Sequence, residues 1–520
     1  MRNSLRVLAS SIAGAALLAL SSAALAQTPS GTCQTLAKAS IAGAAITSAE
    51  IVAAGRFVPP SANGAPANPP FTDLGPFCRV ISHVKGAGTS VVTIEVWLPL
   101  SGWNQEVQPA GSSFWGGSIP YARMREILRS GAVTAGSNLG ITGATGPSFV
   151  VEHSEWMTNL GNAPFHTLVE QAKMLAAAFY GRTPTSTMMN ECGGGGSRDV
   201  LAETQRWPAD LDAAAAIGFT NYGTHHGVAQ MWLYWATHKD AASYIPAEKY
   251  PFIHQAVLNA CDAKDGVKDG IVEDPQHCAF DPGVLACRGA DAANCLMPAQ
   301  VAALRTIYET PKHGRTHEPL YGPMVPGSEF SWEPMTLQSH PYPYSEAFYR
   351  YVIFRDARWD YKNWKPDFAA DVDRADAPGN LVINATNADI SAFVDRGGKL
   401  LLMGGWNDDL GPGNNITYYE SVRRALGYSE TRNAVRLFMV PGMNHCLDLA
   451  YDSTYTVHFD PIAALRGWKQ TGRAPDDIVV TTQEKNQSPR PRKVCAYPKI
   501  SQYRGAGSVD DPKNFICREP

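Results

Sequence analysis

Residues 188–199, MMNECGGGGSRD, join an apolar run to four consecutive glycines and then to a polar stretch compatible with a helix. A strand that turns sharply into a helix has this appearance, and glycine lets the backbone make such a turn. In a nucleophile elbow the same strand–turn–helix geometry pushes a serine hydroxyl into the open. Here the residue at the turn is Gly193, which has no side chain. The chain pairs the turn of a nucleophilic site with the loss of its attacking group.

The segments on either side place that turn in a layered α/β domain. Residues 90–100 (SVVTIEVWLPL) alternate and are rich in β-branched side chains, which predicts a strand. Residues 131–137 and 185–190 read as further strands, preceded by helical stretches over 121–129 and 165–180. In the second helix Leu168, Ala172, Leu175 and Phe179 share one face. A helix is expected over 198–206. From about 219 to 378 the alternation breaks into a block rich in aromatic residues, proline and cysteine. It returns with buried strands at 399–403 and 435–440 and a helix at 415–426. Strands alternating with helices imply a mainly parallel sheet. The expected organisation is a first α/β part over 27–218, an inserted lid over 219–378 and a second α/β part over 379–520.

Residues 1–26 have a secretory leader's pattern. Arg2 and Arg6 precede an apolar stretch, and Ala24-Leu25-Ala26 offers a small-x-small cleavage site. Export to the periplasm or the medium is the expectation, with no stable membrane span after cleavage. The formal net charge of −4 becomes more negative once the two arginines leave. A mildly acidic chain without basic runs argues against nucleic acid as a partner. All ten cysteines follow the leader, an even number that favours disulfides in an exported chain. Spacing suggests local bridges Cys33–Cys78, Cys261–Cys278, Cys287–Cys295 and Cys495–Cys517, leaving Cys192 with Cys446. Spacing alone does not settle that connectivity. A zinc cluster is the rival reading, although no C-x-x-C pair occurs.

Three candidate sites follow ends of expected strands: the turn at Cys192-Gly193, Asp408 and His445. Ligands of open α/β sheets bind beyond the carboxyl ends of the strands. The order turn, acid, histidine is also that of α/β-hydrolases. A histidine there takes a proton from the nucleophile, and an aspartate holds its ring and stabilises its charged form. Either residue alone reads equally as a loop or turn residue. Between Cys261 and Cys278, carboxylates at Asp262, Asp265 and Asp269 lie among turn-forming Gly266 and Gly270. Calcium prefers such a set of oxygens on a turning loop. A solvated acidic loop is the alternative.

These motifs together resemble the tannase and feruloyl esterase group of α/β-hydrolases, which includes the bacterial hydrolase of mono(2-hydroxyethyl) terephthalate. The likeness spans nearly all the chain after the leader. It is carried by the Cys33 region, GSIPY at 117–121, QRWP at 205–208, the aspartate-rich loop, GWND at 405–408 and VPGMNHC at 440–446. The resemblance implies an α/β-hydrolase fold with a large, disulfide-rich lid. It implies a catalytic Asp408 and His445, with Cys192 bridged to Cys446 and the serine's place falling on Gly193. It also implies a structural calcium ion held by the side chains of Asp262, Asp265 and Asp269 and the carbonyls of Val267 and Ile271. An oxyanion hole is expected from Gly194 and Gly111. This chain departs from the family's pattern at Glu191, where glycine is usual, at Arg198, one position late, at Gly404, and in the segment Gly111-Ser112-Ser113-Phe114.

The activity so implied is hydrolysis of an aromatic or phenolic carboxylic ester, a small-molecule substrate. Without a serine at 193, it needs Ser197, Ser112 or Ser113 to be recruited, or His445 to activate water directly. Ser197 reads alternatively as the N-cap of the following helix. A catalytically silent protein that binds aromatic esters is the alternative to an enzyme. The lid aromatics Trp332, Tyr342, Tyr344, Phe348, Tyr349, Phe354, Trp359 and Trp364 are expected to be mostly lid core, with one or two facing the ligand. His225-His226 is a poor metal pair, because adjacent side chains diverge.

Overall fold

The computed structural model of the chain describes residues 31–41, 43–61, 68–142, 146–161, 163–332, 339–447, 455–484 and 488–520. The expected leader, 1–26, lies outside them. The centre of the molecule is a nine-stranded sheet. Its strands are β1 (Ala44–Val52), β2 (Phe77–Lys85), β3 (Val91–Pro99), β4 (Glu106–Pro109), β5 (Val133–Ser137), β6 (Ser186–Cys192), β7 (Ala213–Ile217), β8 (Lys399–Gly405) and β9 (Val435–Val440). Their order across the sheet is β1-β2-β3-β5-β4-β6-β7-β8-β9. From β1 through β3 to β5 the pairs are antiparallel, and from β5 to β9 they are parallel. The parallel part carries the site. The antiparallel strands β1 and β2 make the sheet mixed.

Alternate residues of the parallel strands feed two cores. Ala214 and Ala216 of β7, Leu400 and Leu402 of β8, and Val435 and Leu437 of β9 pack on one face, with Phe165, Leu168, Leu175 and Val200. Ala213, Ala215, Ile217, Leu401, Met403, Phe438 and Val440 pack on the other, with Leu465 and Trp468. Both faces are covered, so these strands read as largely apolar runs, with Arg436 of β9 as the charged interruption. Each fully buried leucine of β8 stabilises the fold by roughly 2 kcal/mol.

After Ile217 the chain leaves the sheet, and it re-enters at Lys399. The excursion contains the helices Gly223–His238, Tyr250–Cys261 and Pro298–Tyr308 and two local bridges, Cys261–Cys278 and Cys287–Cys295. Beyond β9, three short strands, β10 (Tyr455–His458), β11 (Asp477–Glu484) and β12 (Arg490–Cys495), form a separate antiparallel sheet. Arg492 of β12 reaches back to Asp269 and Glu273 of the acidic loop at 2.8 and 2.9 Å. Cys33–Cys78 and Cys495–Cys517 are bridged near the two ends of the described chain. Among the described residues, no helix is long and apolar enough to cross a membrane.

Candidate active site

Strand β6 ends at Cys192 in an extended conformation, φ −120° and ψ 157°. The next residue, Gly193, has φ +80° and begins the helix Gly193–Arg206. Side chains rarely adopt that φ, so a non-glycine residue there stores about 1–3 kcal/mol of strain. A Cβ built at 193 would lie 3.4 Å from His445 Nε2 and 4.0 Å from Cys446 Sγ. The loop after β9 delivers His445, and the loop after β8 delivers Asp408. His445 Nδ1 and Asp408 Oδ2 are 3.0 Å apart. The other carboxylate oxygen of Asp408 accepts from the Leu410 amide at 2.9 Å, which fixes its orientation. Both residues are buried. The Cys192–Cys446 bridge, with a Cα–Cα distance of 5.8 Å, ties the turn to the histidine loop.

Burial works against a protonated His445. The charge and hydrogen bond of Asp408, helped by the charge of Asp409, outweigh it and hold the imidazole pKa above its ordinary value. An aspartate that raises the affinity of a ring for a proton at Nε2 equips it as a general base.

The serines near the turn are all engaged elsewhere. Ser197 is not the N-cap: the helix starts at Gly193, with Cys192 as its cap residue. Ser197 lies one turn inside, fully buried, and its hydroxyl donates to the Gly193 carbonyl. Four glycines do not look helical, and so the sequence placed the helix start too late. The Ser112 hydroxyl donates to Asp199 Oδ2 at 2.5 Å, and the Ser113 hydroxyl to the Gly116 carbonyl at 2.6 Å. None of the three presents its oxygen to His445.

The departures at Arg198 and in the Gly111–Phe114 segment are linked through Asp199. Asp199 also accepts from the Ser112 amide at 2.8 Å, while Arg198 donates to the Phe114 carbonyl at 3.0 Å and lies over its ring. The segment 112–114 is thereby clamped across the start of the helix. Cβ atoms at 194 and 195 would strike the Phe114 ring and the Ser112–Phe114 backbone, and one at 196 would strike Glu191. The glycine run is what this close approach requires. Gly194 keeps an amide in the first helical turn, where the helix supplies no acceptor. Gly111 lies against Gly196 and the buried Glu191 side chain, where a Cβ would strike both.

The sequence profile described as "Tannase and feruloyl esterase" matches residues 78–518. The chain belongs to the tannase and feruloyl esterase family. Family members are carboxylic-ester hydrolases, and the fold, the paired Asp408 and His445 and the bridged turn are consistent with that class. The chain is 32% identical to an uncharacterized esterase of Xanthomonas campestris pv. campestris, covering 99% of this chain and 95% of that one. The crystal structure of feruloyl esterase B from Aspergillus oryzae superposes with a TM-score of 0.82 at 27% identity, covering 94% of this chain and 99% of that one. Tannin acyl hydrolase from Aspergillus niger has the same fold, with a TM-score of 0.71 at 18% identity over 92% of each chain.

In this family member the acidic loop is held largely by its own carboxylates. Asp262 accepts from the amides of Asp269 and Gly270, both at 3.2 Å, and Asp265 from that of Val267 at 3.0 Å. Asp269 Oδ2 pairs with Arg492, while its Oδ1 is buried with no partner. Burial, followed by the charges of Asp269 and Asp262, pushes Asp265 up to about 6. An orphaned carboxylate oxygen and crowded negative charge fit a hard cation such as calcium. Among the described residues, the metal-ligating side chains gathered within 4.8 Å of one another are instead His166, Glu203 and Asp210. Burial, with the neighbouring charge of Asp210, holds the Glu203 carboxyl well above the usual range, and Asp210 meets His166 Nδ1 at 2.6 Å.

The aromatic residues of the excursion between β7 and β8 divide into two sets. Trp332 packs on Tyr250 and Tyr308, and Tyr349, Phe354, Trp359 and Trp364 pack on one another, as its core. Tyr344 and Phe348 reach the clamped segment instead. Tyr344 meets Phe114 at 4.9 Å and stacks on Trp115 at 5.6 Å. Phe348 lies 5.9 Å beyond Tyr344. Phe114 and Trp115 carried no periodic signal; their place emerges only where Tyr344 packs against them.

Proposed function

We propose that this family member hydrolyses esters of phenolic acids outside the cytoplasm, with His445 activating water directly. The observation that carries this reading is the 3.4 Å between the Cβ position of residue 193 and His445 Nε2. The glycine leaves the volume of a side chain beside a base that is oriented and charge-tuned by Asp408. In the proposed step, Nε2 takes a proton from water as the water oxygen attacks the ester carbonyl. The developing oxyanion faces the Gly194 amide at the positive end of the helix. As the tetrahedral species collapses, His445 returns the proton to the departing alcohol oxygen, and acid and alcohol are released. No acyl-enzyme forms.

The likeness to a feruloyl esterase, and the rings of Phe114, Trp115, Tyr344 and Phe348 here, support a phenolic acid as the acyl group. The segment 219–378 would act as the lid. Calcium at Asp262, Asp265 and Asp269, with the carbonyls of Val267 and Ile271, would brace it. Five bridges suit an oxidising compartment, in keeping with a cleaved leader over 1–26.

The test is turnover of gallate, ferulate and terephthalate methyl esters by the purified chain, followed by a fluorophosphonate probe. Hydrolysis without labelling is expected. Labelling of Ser197 would overturn the direct-water route. Binding without hydrolysis of any ester would instead identify a silent ester-binding protein.

A further inference from the structure

Of the adjacent histidines 225 and 226, only one is satisfied by its surroundings. His225 Nδ1 lies 3.0 Å from the Leu320 carbonyl and Nε2 lies 2.7 Å from Asp376, with the ring stacked on Tyr222. His226 points elsewhere. It is 3% exposed, and neither of its ring nitrogens has a partner. Its ring is bounded by Tyr344 at 5.0 Å, Tyr321 at 5.4 Å and Tyr342 at 6.4 Å. Tyr344 is also the residue that meets Phe114 and Trp115, so His226 borders the same cluster of rings.

A buried polar atom left unpaired is costly, and a native one calls for a partner outside the fold. The electrostatics narrow the partner's chemistry. Burial, then the charge of His445, pushes His226 down to about 3 against the pull of Asp408. The imidazole is neutral at any working pH, with one nitrogen donating and the other accepting. A neutral ring cannot offset a carboxylate, and Asp408 would repel one. A hydroxyl both donates and accepts, carries no charge, and suits it. The Tyr344 hydroxyl is already spent on the Gly223 carbonyl at 3.1 Å.

We infer that His226 is the polar anchor for a ring hydroxyl of the bound aromatic ester, and so selects hydroxylated rings over unsubstituted and carboxylated ones. This rests on the reading that the pocket takes phenolic esters. His226 determines specificity and takes no part in bond making.

Calorimetric binding of methyl 3,4,5-trihydroxybenzoate, methyl benzoate and monomethyl terephthalate to the full chain tests it. The trihydroxy ester should bind about tenfold more tightly than methyl benzoate, the worth of one well-made hydrogen bond, with monomethyl terephthalate weakest. His226→Leu should reduce that preference to near unity, and His226→Gln should restore most of it. A thermal melt of each variant separates lost folding from lost recognition. If the three esters bind wild-type protein equally, or if folded His226→Leu keeps the preference, the anchor is refuted while the ester-binding reading stands. If none binds wild-type protein, both fall.

Discussion

The Cβ position of residue 193 lies 3.4 Å from Nε2 of His445, close enough for a hydroxyl carried on that carbon to reach the base, yet the residue at 193 is glycine. The positive φ of 80° at that position is the strained turn that a nucleophile normally occupies. A hydroxyl restored there meets a ready base. Gly193→Ser should raise ester turnover by at least about 10³-fold, since a triad acts as a unit. It should also lower stability by about 1–2 kcal/mol through backbone strain. Initial rates and urea melts of the two proteins check both signs.

His445 is useful as a base only when neutral, and Asp408 raises its pKa. Activity should therefore rise with pH through that raised pKa and then level. Asp408→Asn removes the opposing charge, so that burial dominates and the pKa falls. Its rising limb should move to lower pH while the plateau drops by a factor of about 10² or more. A pH–rate profile of each protein shows the shift.

The Cys192–Cys446 bridge spans 254 residues of sequence. In the chain-entropy account, opening it costs roughly 5 kcal/mol. The double variant Cys192→Ala, Cys446→Ala should melt well below the parent. It should lose a larger fraction of turnover than a variant at Cys287–Cys295, because only the first bridge holds the turn against the imidazole. Thermal melts and rates of the two double variants make the comparison.

Calcium should raise the melting temperature of chelator-treated protein, and Asp269→Asn should blunt that rise. Asp265 sits at about 6 without a cation, whereas binding needs its ionised form. The calcium increment should therefore grow as pH rises through that value and shrink below it. Melts with and without calcium across that range measure it.

Much of the parallel core was legible, because β8 and β9 are largely apolar runs, interrupted in β9 by Arg436, as suits a doubly covered strand. The β7 segment AAAAI was not, since alanine favours helices and only its position between β6 and β8 makes it a strand. Strand β4 hid behind Glu106 and Gln108, where the Glu106 carboxylate accepts from Arg466 and from the Gln108 amide. At the site, Asp408 and His445 stood out by their order along the chain. The clamp of Arg198 and Asp199 on the Ser112–Phe114 segment, and the unpaired His226, depend on distant segments meeting, which no local pattern records.

The central claim is that His445 turns over ester without help from a serine. Hydrolysis of methyl ferulate by wild-type protein, Ser197→Ala and His445→Ala, compared at one pH above neutrality, tests it most directly. The account predicts an unchanged rate in Ser197→Ala and a loss of about 10²-fold or more in His445→Ala. Full activity in His445→Ala, or none in Ser197→Ala with the fold intact, would contradict it.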